Sequence, residues 1–306
     1  MVMFAGPIAF PITPFDAQDQ LDLAAVQTNA ELLAGSGVTS IVAPSGTGEF
    51  FSLSPDESAR ITKATVEAVR KRKPVIAAVG IGPRVAADLA RSAQRNGADG
   101  LLVLPPYYQN PDPDGLLEYY LAVARATDLP FAVYARDAAV CTPELVCELA
   151  QRAKTFVAFK DGRGDVRLFM RVREHVLERF GTDRLVFLGG VGDDLLAPYV
   201  AAGAQGFTSS MACFWPEIAA DLWAARSDGA KLNALHERAI RPFYELRARK
   251  RGYEVSVMKA AMTLLGYPAG SPRAPITPIA PQERETLAAL LQTLGVPTMA
   301  SRRALV

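Results

Sequence analysis

Eight short apolar segments recur through the first two-thirds of the chain, and their spacing restricts the possible folds more than any other feature. They lie roughly 20 to 35 residues apart, lack polar alternation and are bounded by Gly or Pro, as strands buried on both faces of a parallel sheet are. The segments cover residues 7–10, 40–43, 75–79, 101–104, 131–134, 156–159, 185–188 and 205–208. The last is the weakest, because it carries two polar residues and a glycine. The repeat predicts an α/β protein with a parallel sheet.

Amphipathic segments with helix-start signals separate the predicted strands. Ser54-Pro55-Asp56-Glu57 combines an N-cap, a proline at the first helical position and a capping-box glutamate, and Thr142-Pro143-Glu144 opens another helix in a similar way. A strand followed by a helix, repeated eight times, is typical of a (β/α)8 TIM barrel. A doubly wound open sheet is the alternative. We favour the barrel because the count is eight and no Gly-x-Gly-x-x-Gly turn follows the first strand.

The strand signals end near residue 225, so the 306-residue chain is predicted to have two regions. Residues 1–225 would form the barrel that carries the active site, and residues 226–306 a C-terminal helical appendage. Within the appendage we expect two helices, a rigid proline-rich linker, a final helix and a frayed end, over residues 231–265, 267–275, 281–294 and 298–306.

The charge balance of the chain excludes some classes of partner. Its 33 basic and 32 acidic residues give a net charge of +1, so there is no electrostatic field that would collect nucleic acid or an anionic membrane. No charged leader with an apolar stretch opens the chain, and no apolar run approaches the length of a membrane span. We therefore expect a cytoplasmic protein that binds a small molecule.

Cysteine and histidine are too scarce for several common kinds of site. Cys141, Cys147 and Cys213 form no Cys-x-x-Cys pair, and an odd number argues against a complete disulfide framework. His175 and His236 both lie in charged, helix-like stretches, so neither a metal site nor a histidine-based triad is expected. Acid and base chemistry must then come from Tyr, Lys or carboxylate groups.

Lys160 is the strongest candidate for chemistry, because it ends an apolar strand immediately before the Gly-rich turn 161–164. An amine held at the mouth of an apolar pocket loses hydration. Its pKa then falls, and part of it becomes the neutral nucleophile that Schiff-base formation needs. The plainer interpretation is a strand-end lysine paired with Asp161.

Catalytic groups of a barrel lie at the carboxyl ends of the strands and in the loops that follow, and further candidates occupy these positions. They are Gly46, Thr47, Gly48 and Glu49 after strand two, Tyr107 and Tyr108 after strand four, Tyr134 at the end of strand five, Gly190 after strand seven, and Thr208, Ser209 and Ser210 at strand eight. The Gly46-Thr47-Gly48 turn exposes backbone N–H groups that can hold a carboxylate, or it is a plain tight turn. Tyr134 is a proton donor or simply a buried ring, and Glu49 and Asp161 are bases or ion-pair partners.

These residues, in this order and on these strands, resemble the family of dihydrodipicolinate synthase and N-acetylneuraminate lyase. The resemblance covers nearly the whole chain and rests on five segments: Pro11-Ile12-Thr13-Pro14-Phe15, Gly46-Thr47-Gly48-Glu49, Pro106-Tyr107-Tyr108, Tyr134 and Phe159-Lys160-Asp161-Gly162. It implies that Lys160 forms an imine with a 2-oxo acid, that Tyr134 relays protons, and that Thr47 and Tyr108 support the relay. It also implies a homodimer or homotetramer, in which Tyr108 can reach into a neighbouring subunit's site.

Departures from the synthase pattern indicate a particular branch of this family. Gly46 replaces the first threonine of the synthase relay, and Ala139 stands where the synthases carry a substrate-binding arginine. Arg136, two residues after Tyr134, is similar to the pattern of the 5-dehydro-4-deoxyglucarate dehydratases. That branch usually has Asn where this chain has Ala135.

The resemblance implies a decarboxylating dehydratase that acts through a lysine Schiff base without a metal or redox cofactor. Gly46, Gly48, Gly190, Thr208 and Ser209 would then bind substrate, and Arg136 would bind the carboxylate far from the imine. A dihydrodipicolinate synthase or a 2-oxo sugar-acid aldolase of the same family is the alternative. A barrel that senses a 2-oxo acid without turnover is an alternative of another class.

Overall fold

The computed structural model describes residues 2–304, which fold into a closed barrel of eight parallel strands. The strands are β1 (Gly6–Ala9), β2 (Ser40–Val42), β3 (Val75–Ile81), β4 (Gly100–Pro106), β5 (Phe131–Ala135), β6 (Phe156–Asp161), β7 (Val186–Gly189) and β8 (Gly206–Ser209). Each strand pairs with the next along the chain, and β8 pairs with β1 to close the barrel. The prediction of a (β/α)8 barrel with C-terminal helices is confirmed, and all eight predicted strands form.

Helices follow the strands and surround the barrel. The first eight are α1 (Leu23–Ala34), α2 (Pro55–Val69), α3 (Pro83–Arg95), α4 (Pro113–Ala124), α5 (Pro143–Arg152), α6 (Val166–Phe180), α7 (Leu196–Ala201) and α8 (Pro216–Ala224). The C-terminal region adds α9 (Gly229–Leu235), α10 (Arg241–Ala248), α11 (Tyr253–Leu264), α12 (Pro281–Thr293) and α13 (Met299–Arg303).

The helix starts follow the signals in the sequence. Ser54 caps α2 through the predicted capping box, in which its side chain accepts from the Glu57 N–H and the Glu57 carboxylate accepts from the Ser54 N–H. Thr142 caps α5 in the same N-cap position, with Pro143 as the first helical residue. These local signals fix where each helix leaves the end of the barrel.

Barrel closure explains why β8 is the weakest strand in the sequence. Gly206 pairs with Gly6 across the β1–β8 seam. A Cβ atom on Gly206 would lie 2.8 Å from both the backbone N and the backbone O of Gly6, so no larger residue fits there. The glycine that lowers the strand signal is therefore needed to close the barrel.

Aromatic side chains pack together in the buried space around β5, β6 and β7. The rings of Phe131 and Phe156 stack with centroids 5.6 Å apart. Phe169 of α6 packs edge-on against Phe187 at 5.9 Å and against Tyr199 of α7 at 5.1 Å. This packing places the Tyr199 hydroxyl at the carboxyl end of β6, next to the candidate site.

The C-terminal helices pack against the barrel through one hydrophobic cluster that also contains β1 and β2 residues. The rings of Phe214, after β8, and Phe243, in α10, lie 5.4 Å apart, and both are fully buried. A π-helical turn at His236–Ile240 joins α9 to α10, so the predicted pair of helices is a continuous run from 229 to 248 followed by α11. The division of the chain at residue 225 stays a prediction.

The expectation of a frayed end is wrong for residues 298–304. Thr298 caps α13, and the Arg302 guanidinium in α13 forms a two-point ion pair with Glu217 of α8. The expectation failed because this partner lies 85 residues away in the sequence. Residues 305 and 306, also covered by that expectation, lie outside the described part of the chain.

A buried ion pair holds the turn after β2 against the C-terminal region. The Lys259 amine of α11 lies 2.6 Å from the Glu49 carboxylate, and the two side chains are 2% and 0% exposed. Lys259 also donates to the Ser271 carbonyl at 2.9 Å, and Glu49 accepts from the Arg273 backbone N–H at 2.8 Å. Of the two roles open to Glu49 in the sequence, the structure gives it the ion pair.

Removing one member of this pair should destabilise the fold strongly. Lys259→Met leaves the Glu49 carboxylate buried without its counter-charge, so we expect a loss of about 3 to 5 kcal/mol in the free energy of unfolding, measured by urea denaturation. The double variant Lys259→Met with Glu49→Gln should recover part of the loss, because no charge then remains buried. A single variant within about 0.5 kcal/mol of wild type would contradict the structural role.

Candidate active site

Lys160 lies at the carboxyl end of β6 in an almost dry environment. The residue is 2% exposed, and its amine lies 3.4 Å from the centre of the Tyr134 ring and 4.5 Å from that of the Phe10 ring. Burial holds the pKa of the Lys160 amine well below its ordinary value, and the positive charge of Arg136 lowers it further. These surroundings favour the neutral amine.

The plainer interpretation of the sequence paired Lys160 with Asp161, but Asp161 does not neutralise the Lys160 amine. Its carboxylate accepts a short hydrogen bond from the Tyr199 hydroxyl and another from the Arg163 backbone N–H at 3.2 Å. Within residues 2–304 no carboxylate oxygen lies within 4.0 Å of the Lys160 amine. The charge of Asp161 raises the pKa of the Lys160 amine from a distance, but burial and the charge of Arg136 lower it by more.

Tyr134 lies at the end of β5, beside Lys160, and its hydroxyl has two polar neighbours. The hydroxyl accepts from the Arg136 guanidinium at 2.9 Å and points at the Gly190 carbonyl 3.5 Å away. Burial raises the pKa of Tyr134, with Arg136 acting in the opposite direction. The phenol is therefore protonated at neutral pH and holds a proton next to the amine.

Two glycines provide the space that these side chains occupy. A Cβ on Gly190 would lie 2.5 Å from two carbons of the Lys160 side chain, and a Cβ on Gly162 would overlap the Tyr134 ring. Gly190 therefore contributes to the site through its missing side chain as well as through its carbonyl.

A cavity of about 540 Å³ opens at this end of the barrel. It is lined by eight residues that were predicted from the sequence: Gly46, Thr47, Tyr134, Arg136, Lys160, Gly190, Thr208 and Ser210. The backbone N–H groups of Gly46 and Thr47 make no hydrogen bond within the described residues, so they are available to a ligand. The Ser45 hydroxyl, which is buried and has no partner in that part of the chain, also lines the cavity.

Three of the residues with a predicted substrate-binding or relay role, Gly48, Tyr108 and Ser209, lie outside the cavity lining. Gly48 accepts a hydrogen bond from Thr13 at 2.6 Å through its carbonyl, and Ser209 accepts from the Ala212 N–H at 3.0 Å, so both hold local structure. Tyr108 is 83% exposed, and its φ of 74° lies in the left-handed region.

Sequence reasoning missed two charged residues that the C-terminal helices bring to the cavity. Arg247 of α10 and Glu254 of α11 both line it. The search was confined to strand ends, and neither residue differs in local pattern from the other charged residues of these helices. Only tertiary packing places them at the site.

The described residues offer no metal centre of protein ligands. Within residues 2–304, no group of three or more His, Cys, Asp or Glu side chains could hold an ion. The three cysteines are free and buried. In the same range no helix has both the length and the apolar character that crossing a membrane requires.

Comparison with known proteins agrees with this arrangement. The sequence model of the dihydrodipicolinate synthetase family matches residues 3–294. A protein of Bradyrhizobium diazoefficiens named probable 5-dehydro-4-deoxyglucarate dehydratase is 38% identical over 294 residues, which cover 95% of this chain and 92% of that protein. A protein of the same name from Azotobacter vinelandii is 37% identical over 298 residues, covering 96% and 97%.

Solved structures share the fold over the same length. Dihydrodipicolinate synthase from Oceanobacillus iheyensis superposes with a TM-score of 0.88 at 29% identity, covering 96% of this chain and 97% of that one. YagE from E. coli K12, a prophage protein of the dihydrodipicolinic acid synthase family solved in complex with pyruvate, gives 0.86 at 28% identity, covering 96% and 99%. The chain belongs to the dihydrodipicolinate synthetase family.

Proposed function

We propose that this protein is a decarboxylating dehydratase that converts 5-dehydro-4-deoxyglucarate to 2,5-dioxopentanoate, carbon dioxide and water. The observation that carries the proposal is a buried, uncompensated amine, Lys160, at the base of a cavity with excess positive charge. Besides that amine, two arginines and one carboxylate line the cavity, which suits a substrate with two carboxylates. The names of the relatives at 35–38% identity support the same substrate.

The first step would be imine formation. The neutral Lys160 amine attacks the C5 ketone of the substrate, a C–N bond forms, and the ketone oxygen leaves as water. Tyr134 is placed to supply the proton that the departing oxygen needs, since its hydroxyl is protonated and its ring touches the amine.

Dehydration would follow with the imine as the electron sink. A proton leaves C4, the methylene next to the imine, and the C3 hydroxyl departs as water after it is protonated. Tyr134 can serve both transfers, and we propose that Thr47, which lines the cavity, supports this relay. The result is a C3=C4 double bond conjugated with the imine.

Decarboxylation would complete the reaction. The electron pair of the C1–C2 bond flows through the conjugated system to the imine nitrogen, and C1 leaves as carbon dioxide. The enol left at C2 becomes an aldehyde when C3 takes up a proton and the enol O–H loses one, and a further proton taken up at C4 turns the enamine back into the imine. Hydrolysis of that imine then releases 2,5-dioxopentanoate and restores Lys160. The substrate loses one carbon dioxide and one water, with no change that requires a redox cofactor.

We propose that the turn after β2 holds the carboxylate next to the imine. Gly46 and Thr47 line the cavity, their N–H groups have no partner in the described residues, and nothing lies within 4 Å of where a Gly46 side chain would begin. Thr208 lines the same cavity and can add a hydroxyl contact. The ion pair of Glu49 with Lys259 holds the end of this turn.

We propose a homodimer or homotetramer in which Tyr108 enters a neighbouring subunit's site. Tyr107 and Tyr108 are 76% and 83% exposed at the end of β4, and their rings lie 6.1 Å apart. Exposed aromatic pairs of this kind are common at subunit contacts. Sedimentation of a monomer, together with full activity of Tyr108→Ala, would contradict this arrangement.

Product identity tests the proposed function. Incubation with uniformly ¹³C-labelled 5-dehydro-4-deoxyglucarate should give the carbon NMR signals of 2,5-dioxopentanoate and carbon dioxide. Pyruvate as product would instead indicate an aldolase of the same family. Unchanged substrate together with a ligand-induced rise in melting temperature would indicate a sensor.

Lys160→Ala should abolish the covalent adduct. Borohydride with pyruvate should add mass to the wild-type protein and none to the variant, and turnover should fall at least about a thousandfold because the nucleophile is gone. Lys154→Ala, which changes an exposed lysine shortly before β6, is the matched control and should behave as wild type. An adduct that persists in Lys160→Ala would disprove the assignment.

Arg136 should set the pH at which the enzyme becomes active. Its charge lowers the pKa of Lys160, so Arg136→Met should raise that pKa and leave less neutral amine at a given pH. The acidic limb of kcat/KM, measured from pH 5 to 10, should therefore move to higher pH. Arg136→Lys keeps the charge and should move the limb less. Equal profiles for Arg136→Met and wild type would count against this coupling.

A further inference from the structure

Two arginines line the cavity, and their surroundings differ. Arg136 donates to the Tyr134 hydroxyl at 2.9 Å, and its guanidinium lies 3.6 Å from the Asp137 carboxylate. Glu254 is also near enough to raise the pKa of Arg136. The charge of Arg136 is thus partly balanced, and one of its N–H groups already serves the phenol.

Arg247 makes no ion pair in the described residues, although Asp193 and Asp194 lie near enough for its charge to lower their pKa values. Its guanidinium donates to the Ser210 hydroxyl at 3.1 Å and lies over the Tyr244 ring at 4.3 Å. Within residues 2–304 no carboxylate oxygen lies within 4.0 Å of it. Its positive charge therefore faces the cavity with hydrogen-bond donors to spare.

The support under Arg247 is rigid. The Tyr244 hydroxyl accepts from the Asp193 backbone N–H at 2.6 Å and donates to the Asp193 carboxylate at 3.0 Å. Asp193 is 1% exposed, and burial raises its pKa while the charge of Arg247 acts in the opposite direction. These hydrogen bonds fix the Tyr244 ring, on which the Arg247 guanidinium lies, before any ligand binds.

We propose that Arg247 and Ser210 form the subsite for the carboxylate remote from the imine, and that they select diacids. The proposal rests on the proposed function and deepens it. A guanidinium can bind a carboxylate through two parallel hydrogen bonds. The Ser210 oxygen accepts from Arg247, so its own O–H is left to donate to the same carboxylate or to the neighbouring C2 hydroxyl of the substrate.

Arg247 would determine which substrates bind rather than accelerate the reaction. Decarboxylation removes the negative charge of the remote carboxylate, and a guanidinium stabilises that charge in the bound substrate. Arg247 therefore contributes to substrate affinity and not to the loss of carbon dioxide, so its removal should raise KM more than it lowers kcat.

Two ligands that can form the imine but cannot be dehydrated isolate the contribution of the remote carboxylate to binding. 2-Oxoadipate and 2-oxohexanoate have the same six-carbon 2-oxo acid chain, and only the first carries a second carboxylate. Neither has a hydroxyl to eliminate, so each should stop at the imine, which borohydride traps and intact-mass measurement counts. The quantity compared is the concentration of each ligand that gives half-maximal trapping.

Wild type should prefer 2-oxoadipate by about 10- to 100-fold, the range expected for hydrogen bonds to a charged group. Arg247→Met should bring this ratio close to one, because it should weaken the binding of 2-oxoadipate and leave that of 2-oxohexanoate unchanged. Unchanged trapping of 2-oxohexanoate then shows that the variant is folded and its Lys160 reactive. Arg247→Lys should give an intermediate ratio. Arg249→Met, an exposed position at the end of the same helix, is the control and should match wild type.

Three results would overturn the assignment. If Arg247→Met retains the wild-type preference for 2-oxoadipate, the proposed subsite is wrong. Loss of the preference in Arg136→Met alone would give the remote carboxylate to Arg136, as the sequence suggested. Equal trapping of both ligands by wild type would mean that no such subsite exists. Failure to trap either ligand would reject the imine itself, and with it the proposed function.

Discussion

The desolvation of one amine is the constraint on which the rest of the site depends. Lys160 is buried against two aromatic rings without a carboxylate in contact in the described residues, and an amine in such a place is stable only when it is largely neutral. The barrel creates this condition by ending β6 inside a closed ring of strands. Gly190 leaves room for the lysine, and Tyr134 covers it with a protonated phenol.

The two buried lysines of the chain illustrate how surroundings set the role of a residue. Lys160 and Lys259 are almost equally buried. Lys259 has the Glu49 carboxylate 2.6 Å away and acts as a tie between α11 and the turn after β2. The charged groups that shift the pKa of Lys160 are Arg136 and the buried Asp161. The pKa of Lys160 falls further below its ordinary value than the pKa of Lys259 does. The first stabilises structure, and the second provides a nucleophile.

The sequence predicted what local pattern controls. The barrel, the helix starts, and the position of Lys160 at a strand end all follow from short-range signals, because a parallel barrel brings its strand ends to one rim. It did not predict Arg247, which belongs to a helix outside the barrel and reaches the cavity through tertiary packing that includes Phe243 on Phe214. The ordered helix α13 was missed for the same reason, since Arg302 depends on a distant glutamate.

Direct titration of Lys160 tests the central claim. Protein labelled with ¹³C at the lysine ε carbons contains eight lysines, and the Lys160 signal is the one absent from the spectrum of Lys160→Ala. The account predicts that this signal titrates with a pKa well below 10.5, the ordinary value for a lysine side chain. A Lys160 signal that titrates at or above that ordinary value would contradict it.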